Sequence, residues 1–168
     1  MNKRVSTTVA AISLAAFVLT GCSTSSATPD AGTSSSAASA STSSSTSSPV
    51  KLKTAATTVG DIVVNGEGLS VYVFDSDVKD SGKSACTGNC PALWPAVPAG
   101  SGAPVLDGVS GTTGSIATEA GTQQLTLNGL PLYLFSKDSG PKEIKGQGVK
   151  GVWWVVSPAG EKISTLAG

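Results

Sequence analysis

Gln124-Leu125-Thr126-Leu127-Asn128-Gly129-Leu130-Pro131-Leu132-Tyr133-Leu134-Phe135 is the stretch whose reading decides the fold. Asn-Gly between two alternating apolar runs is the strongest short-range hairpin signal, because both turn positions need positive φ. A two-residue turn sets Leu127 opposite Leu130 and Leu125 opposite Leu132. Alternation then places Leu125, Leu127, Leu130, Leu132 and Leu134 on one face, and Gln124, Thr126, Tyr133 and Phe135 on the other. A strand that is apolar on both faces belongs inside a closed or layered structure.

An earlier segment has the same form. Val71-Tyr72-Val73-Phe74-Asp75-Ser76-Asp77 and Leu132-Tyr133-Leu134-Phe135-Ser136-Lys137-Asp138 share the pattern Y-x-F-x-x-D, and each follows an Asn-Gly, at Asn65-Gly66 and Asn128-Gly129. With Asn65-Gly66-Glu67-Gly68 as a four-residue loop, Ile62, Val64, Leu69, Val71 and Val73 share a face and Tyr72 and Phe74 take the other. Further strands are expected over Gly151-Val152-Trp153-Trp154-Val155-Val156-Ser157 and near residues 162–166, with a turn at Pro158-Ala159-Gly160. Adjacent Trp153 and Trp154 must point to opposite faces, so only one can join the main core. The expected fold is all-β: an antiparallel, sandwich- or barrel-like domain of two degenerate hairpin repeats, about 59–97 and 123–160, over residues 53–168.

The segment before this domain gives an address. Lys3 and Arg4 precede an apolar run over residues 9–19, which is short of the roughly 18–20 residues that span a bilayer. Leu19-Thr20-Gly21-Cys22 follows. This order resembles the signal and lipobox of bacterial lipoproteins. The resemblance implies cleavage after residue 21 and a diacylglyceryl group on the Cys22 sulfur, two acyl chains being enough for stable anchoring. Residues 22–52 are dominated by Ser, Thr and Ala. They cannot bury enough apolar surface to offset ordering, so a disordered linker is expected, with a root-mean-square reach of about 30 Å.

Composition excludes several chemistries. The chain has no histidine. Serine or cysteine triads, His-ligated zinc and C-x-x-C-H haem attachment are therefore ruled out. Lysine plus arginine and aspartate plus glutamate both number 11. Loss of Lys3 and Arg4 with the signal leaves about −2, so no nucleic-acid surface is expected. Gly82-Lys83-Ser84 lacks the first glycine of a phosphate loop, since Asp77 stands there, and Ser76-x-x-Lys79 and Ser139-x-x-Lys142 lack the companion motifs of serine–lysine enzymes.

Joint occurrence of several motifs carries a wider resemblance. The paired Y-x-F-x-x-D segments, Cys86-x-x-x-Cys90-Pro91 running into Leu93-Trp94-Pro95, and Gly146-Gln147-Gly148-Val149 before Gly151-Val152-Trp153-Trp154-Val155-Val156 together resemble the "secreted repeat of unknown function" family of predicted bacterial lipoproteins. The resemblance covers residues 59–160. It implies an exported, tethered, two-repeat domain and supplies no catalytic residues.

Four groups of residues carry competing readings. Cys86 and Cys90 form a disulfide by default outside the cytoplasm; the alternative is a redox or metal-handling pair. Asp75, Asp77 and Asp80 form an acidic cluster, but Lys79 stands at a ligand position of a calcium loop. Asp77 and Asp138 either bond backbone amides near their turns or act together as a carboxylate pair. Tyr72, Phe74, Trp94, Tyr133, Phe135, Trp153 and Trp154 are either core or an aromatic binding face. The candidate binding residues are Tyr72, Asp77, Trp94, Tyr133, Asp138 and Trp153. The expectation is a non-enzymatic module that binds or displays something at the extracytoplasmic face of the cell membrane, with no cofactor. Its partners would be the membrane, through the lipid, and a cell-wall or envelope protein.

Overall fold

The computed structural model describes residues 48–166. The expected signal over residues 1–21, the lipobox ending in Cys22 and the linker as far as residue 47 lie outside the described residues. Among the described residues, eight short strands make three small sheets. β1 (Lys51–Thr57), β2 (Gly60–Asn65) and β4 (Val105–Asp107) form one in the order β2-β1-β4. β3 (Tyr72–Phe74) pairs with β8 (Trp153–Val155), and β5 (Thr113–Ala117), β6 (Gln123–Leu127) and β7 (Leu130–Pro131) form the third. The helical pieces are one turn, α1 (Cys90–Leu93), and a 3-10 turn over Val149–Gly151.

The all-β, two-repeat expectation is borne out, with three corrections. The first strand begins before residue 53: Leu52 is fully buried opposite Asn65, its side chain part of the aliphatic core. The pairing is not wholly antiparallel, since β4 lies parallel to β1 through Lys51–Val105, Leu52–Leu106 and Lys53–Asp107. Residues 162–166 contribute a single bridge, Val156 to Lys162, rather than a strand.

The second hairpin matches its sequence. Leu127 pairs with Leu130, Asn128 and Gly129 have φ of 50° and 78°, and Leu132 N–H reaches Leu125 O at 3.0 Å. The first hairpin does not match. Asn65 N–H donates to Leu69 O and Val71 N–H to Val63 O, so the loop holds three residues, not four. Two features shorten it. Asn65 Oδ1 accepts the N–H groups of Glu67 and Leu69 at 3.0 and 2.9 Å, and Gly68, at φ 90°, takes the left-handed position that ends a three-residue loop. A slip of one residue exchanges faces. Val63, rather than Ile62 and Val64, therefore joins Val71 and Val73, and Ile62 and Val64 lie on the side of Tyr72.

Two cores result. One is aliphatic and draws Leu52, Val63, Val71, Val73, Val97, Leu125, Leu127, Leu132 and Val156 from both repeats. The other holds Tyr72, Trp94, Tyr133, Phe135 and Trp153, with Phe74 against it. As expected, Trp153 is buried in the second core, whereas Trp154 is half-buried under the Lys162 ammonium.

Candidate functional site

The two Y-x-F-x-x-D motifs meet at the centre of the described domain. Tyr72 N–H donates to Tyr133 O and Tyr133 N–H donates to Tyr72 O, each at 2.9 Å. This reciprocal pair is the mark of a local two-fold axis between repeats. The same relation recurs outward. Phe74 pairs with Trp153 as Phe135 lies beside Trp94, through Asp75 N–H to Val152 O at 2.9 Å and Ser136 N–H to Leu93 O at 3.0 Å. Val63 N–H reaches Val156 O as Leu125 N–H reaches Val97 O.

The spacing of the motif has a physical reading. Tyr and Phe, two apart on a strand, share a face. The next residues form a turn closed by Asp77 N–H to Phe74 O and by Asp138 N–H to Phe135 O, both 3.0 Å. The turn brings each aspartate back beneath the opposite repeat. Tyr72 O–H donates to Asp138 Oδ2 at 2.6 Å, and Tyr133 O–H donates to Asp77 Oδ2 at 2.7 Å. The remaining oxygens accept amides: Ala85 N–H on Asp77 at 2.6 Å and Lys145 N–H on Asp138 at 2.9 Å. Gly146 N–H donates to the Tyr72 hydroxyl, while Ser84 Oγ lies 2.7 Å from that of Tyr133. A Cβ on Gly146 would stand 2.8 Å from the Tyr72 ring and 2.9 Å from Trp94, so this backbone approach admits only glycine.

Burial governs the electrostatics. It pushes both phenols far above the ordinary tyrosine range, helped by the facing carboxylates. It also raises Asp77 and Asp138, against the hydrogen bonds they accept. Burial works upward on Asp75 too, but Lys162 Nζ at 2.6 Å and Trp154 Nε1 at 2.8 Å outweigh it and hold that carboxylate low. Asp75 and Asp77 are thus committed to different partners, and among the described residues no cluster of three or more acidic or cysteine side chains could hold a metal ion.

The six rings stack symmetrically. Phe74, Trp153, Trp94 and Phe135 lie in order with centroids 4.2, 3.8 and 4.3 Å apart. The order alternates between repeats. Tyr72 meets Trp94 edge-on at 5.4 Å and Tyr133 meets Trp153 edge-on at 5.1 Å. Tyr72, Trp153 and Asp138 are therefore interior groups. Trp94 and Tyr133 show only an edge, at 3% and 1% exposure, and Asp77 is partly exposed. Of the expected binding residues, Trp94 and Tyr133 line a cleft, while Asp77 reaches solvent outside it.

That space is a cleft of about 530 Å³. Trp94, Ala96, Gln124 and Tyr133 line it, the Cys86–Gly88 loop forms one wall and residues 117–122 form the other. Cys86 and Cys90 are joined, with Cα atoms 5.2 Å apart. The bridge holds a loop in which Cys90 N–H bonds Thr87 O and Trp94 N–H bonds Cys90 O, so it fixes both the wall and the tryptophan. Sequence reasoning missed Ala96, Gln124 and the 117–122 turn. The available signal was Gln124, a polar residue on the buried face of β6.

A family described as "secreted repeat of unknown function" matches the chain twice, over residues 53–98 and 114–157. The matches begin within β1 and β5, ahead of residues 59 and 123. No curated protein and no solved structure matches the chain. The doubled match, laid over two halves related by one local axis, makes this chain a member of the secreted-repeat family.

Proposed function

We propose that this is a lipid-anchored, non-enzymatic binding module of the cell envelope, tethered through Cys22 by the Ser/Thr-rich linker, with the Trp94–Tyr133 cleft as its ligand site. The carrying observation is that one open cleft of about 530 Å³, a volume suited to specific ligands, sits on a rigid aromatic floor. Its lining combines apolar groups with hydroxyls, the Gln124 amide and two charged side chains, Lys83 and Glu119. The motif carboxylates, each held by a tyrosine and an amide, serve architecture. The disulfide holds the cleft wall, so in this reading Cys86 and Cys90 support the site.

Two measurements test the reading. Cys22→Ser is expected to move the protein from the membrane fraction to the soluble extracytoplasmic fraction; unchanged membrane association removes the anchor. A photo-crosslinking residue at exposed Thr87 is expected to capture a defined partner in intact cells, where the same group at Glu161 does not. Equal capture at both positions, or none, removes the cleft as the binding site.

A further inference from the structure

The local two-fold axis gives the cleft a counterpart in the other half, and that counterpart is filled. Tyr133 corresponds to Tyr72, Trp94 to Trp153 and Ala96 to Val155, since Ala96 opposes Tyr133 as Val155 opposes Tyr72. Val63 and Leu125 are equivalent through their bonds to Val156 and Val97, so Gln124 corresponds to Ile62. Four residues that line the cleft thus have their images around the second site.

The C-terminal segment occupies that second site. Ile163 N–H donates to Val155 O at 2.9 Å, and Lys162 bridges to Val156. Gln147 clamps the segment: its Nε2 donates to Ile163 O at 2.6 Å and Thr165 O at 2.8 Å, while its Oε1 accepts Val155 N–H. The Ile163 side chain packs against the core that holds Tyr72 and Trp153. Backbone pairing plus one aliphatic anchor is how an extended peptide joins a sheet edge.

In the first half the same edge is open. Val97 N–H to Leu132 O and Leu134 N–H to Pro95 O flank Ala96 on its inner side, so its own N–H and C=O point outward. Among the described residues neither has a hydrogen-bond partner. Alanine replaces valine there, and glutamine replaces isoleucine, which leaves the cleft. We infer that this cleft binds an extended segment of another protein by strand pairing to Ala96, with one β-branched aliphatic side chain of that segment seated on Trp94 and Tyr133. The inference rests on the cleft being the ligand site and adds the ligand's class. A second copy's tail is disfavoured, because that tail is already clamped within its own chain at high effective concentration.

The probe is the synthetic peptide Glu-Lys-Ile-Ser-Thr-Leu, the sequence of residues 161–166, titrated into the isotope-labelled full chain. The expected result is a saturable shift of the Ala96 amide and at least a tenfold slowing of its hydrogen exchange. Changing the peptide's isoleucine to aspartate, or Thr87→Trp at the cleft wall, should abolish both. No effect at Ala96 overturns the inference. So does protection of Ala96 that depends on protein concentration without peptide, which would assign the edge to a second copy. A small apolar probe such as indole that shifts the Trp94 and Tyr133 signals, while the peptide does nothing, overturns the peptide class and leaves the cleft as a ligand site. Silence from both probes removes both readings.

Discussion

Tyr72 and Tyr133 are the only tyrosines in the chain, and each hydroxyl is fixed by a carboxylate from the other repeat. Their folded-state pKa lies above the unfolded value of 10.0. A raised value means that the folded state holds the proton longer, so their contribution is complete below the unfolded pKa and is lost as pH rises beyond it. Titrated with base, the folded protein should show no tyrosinate absorbance near pH 10, and both phenols should appear together with cooperative unfolding. Two tyrosinates forming reversibly near pH 10 with the fold intact would contradict the burial argument. Tyr72→Phe leaves Asp138 short of one partner and should cost about 1–3 kcal/mol, read by chemical denaturation. The role of the aspartates was half legible in sequence. Their shape and turn position predict bonds to backbone amides, and each makes one. The tyrosine partner was hidden because it comes from the other repeat, across 56 and 66 residues of chain.

Loop chemistry decides which face a strand presents. The second hairpin reads directly, because Asn128-Gly129 with leucines on both sides leaves one register. The first could not be read the same way. Asn65-Gly66-Glu67-Gly68 allows a three- or a four-residue loop, and Ile62, Val63 and Val64 are apolar in either, so patterning does not choose. The choice lies in the Asn65 side chain and in Gly68. Gly68→Ala should destabilise by about 1–3 kcal/mol, since φ is +90° and the new Cβ would stand 3.1 Å from the Pro141 side chain. A thermal denaturation midpoint unchanged from the parent would show that the loop tolerates another geometry. The disulfide is the other local device. The small closed loop gives about 2 kcal/mol from chain entropy. Joint Cys86→Ser and Cys90→Ser substitution should therefore keep the fold while loosening the cleft wall, seen as faster amide exchange at position 90 and at Trp94. Wholesale unfolding would mean that the bridge holds more than this loop.

The domain over residues 48–166 is built by exchange between its repeats. The ring stack alternates between repeats, both cores draw on both repeats, and each motif closes the other. Neither half can complete its aromatic core alone. A chain of residues 48–112 should lack fixed near-ultraviolet aromatic dichroism, and adding a chain of residues 113–168 should restore it. A stable, fully ordered half would contradict the exchange. The symmetry was legible as two copies of Y-x-F-x-x-D, but the repeats alone do not say whether they stand side by side or interlock. The departures from symmetry carry the functional interest: the tail that fills one site, and the alanine and glutamine that leave the other open.

A double-mutant cycle on folding stability tests the interlock most directly. Tyr72→Phe combined with Asp138→Ala, residues of different repeats, should show a coupling of about 1–3 kcal/mol, whereas Tyr72→Phe with Asp77→Ala, residues of the same repeat, should be additive within about 0.5 kcal/mol. Coupling confined to the same-repeat pair, with additivity across repeats, would contradict the account.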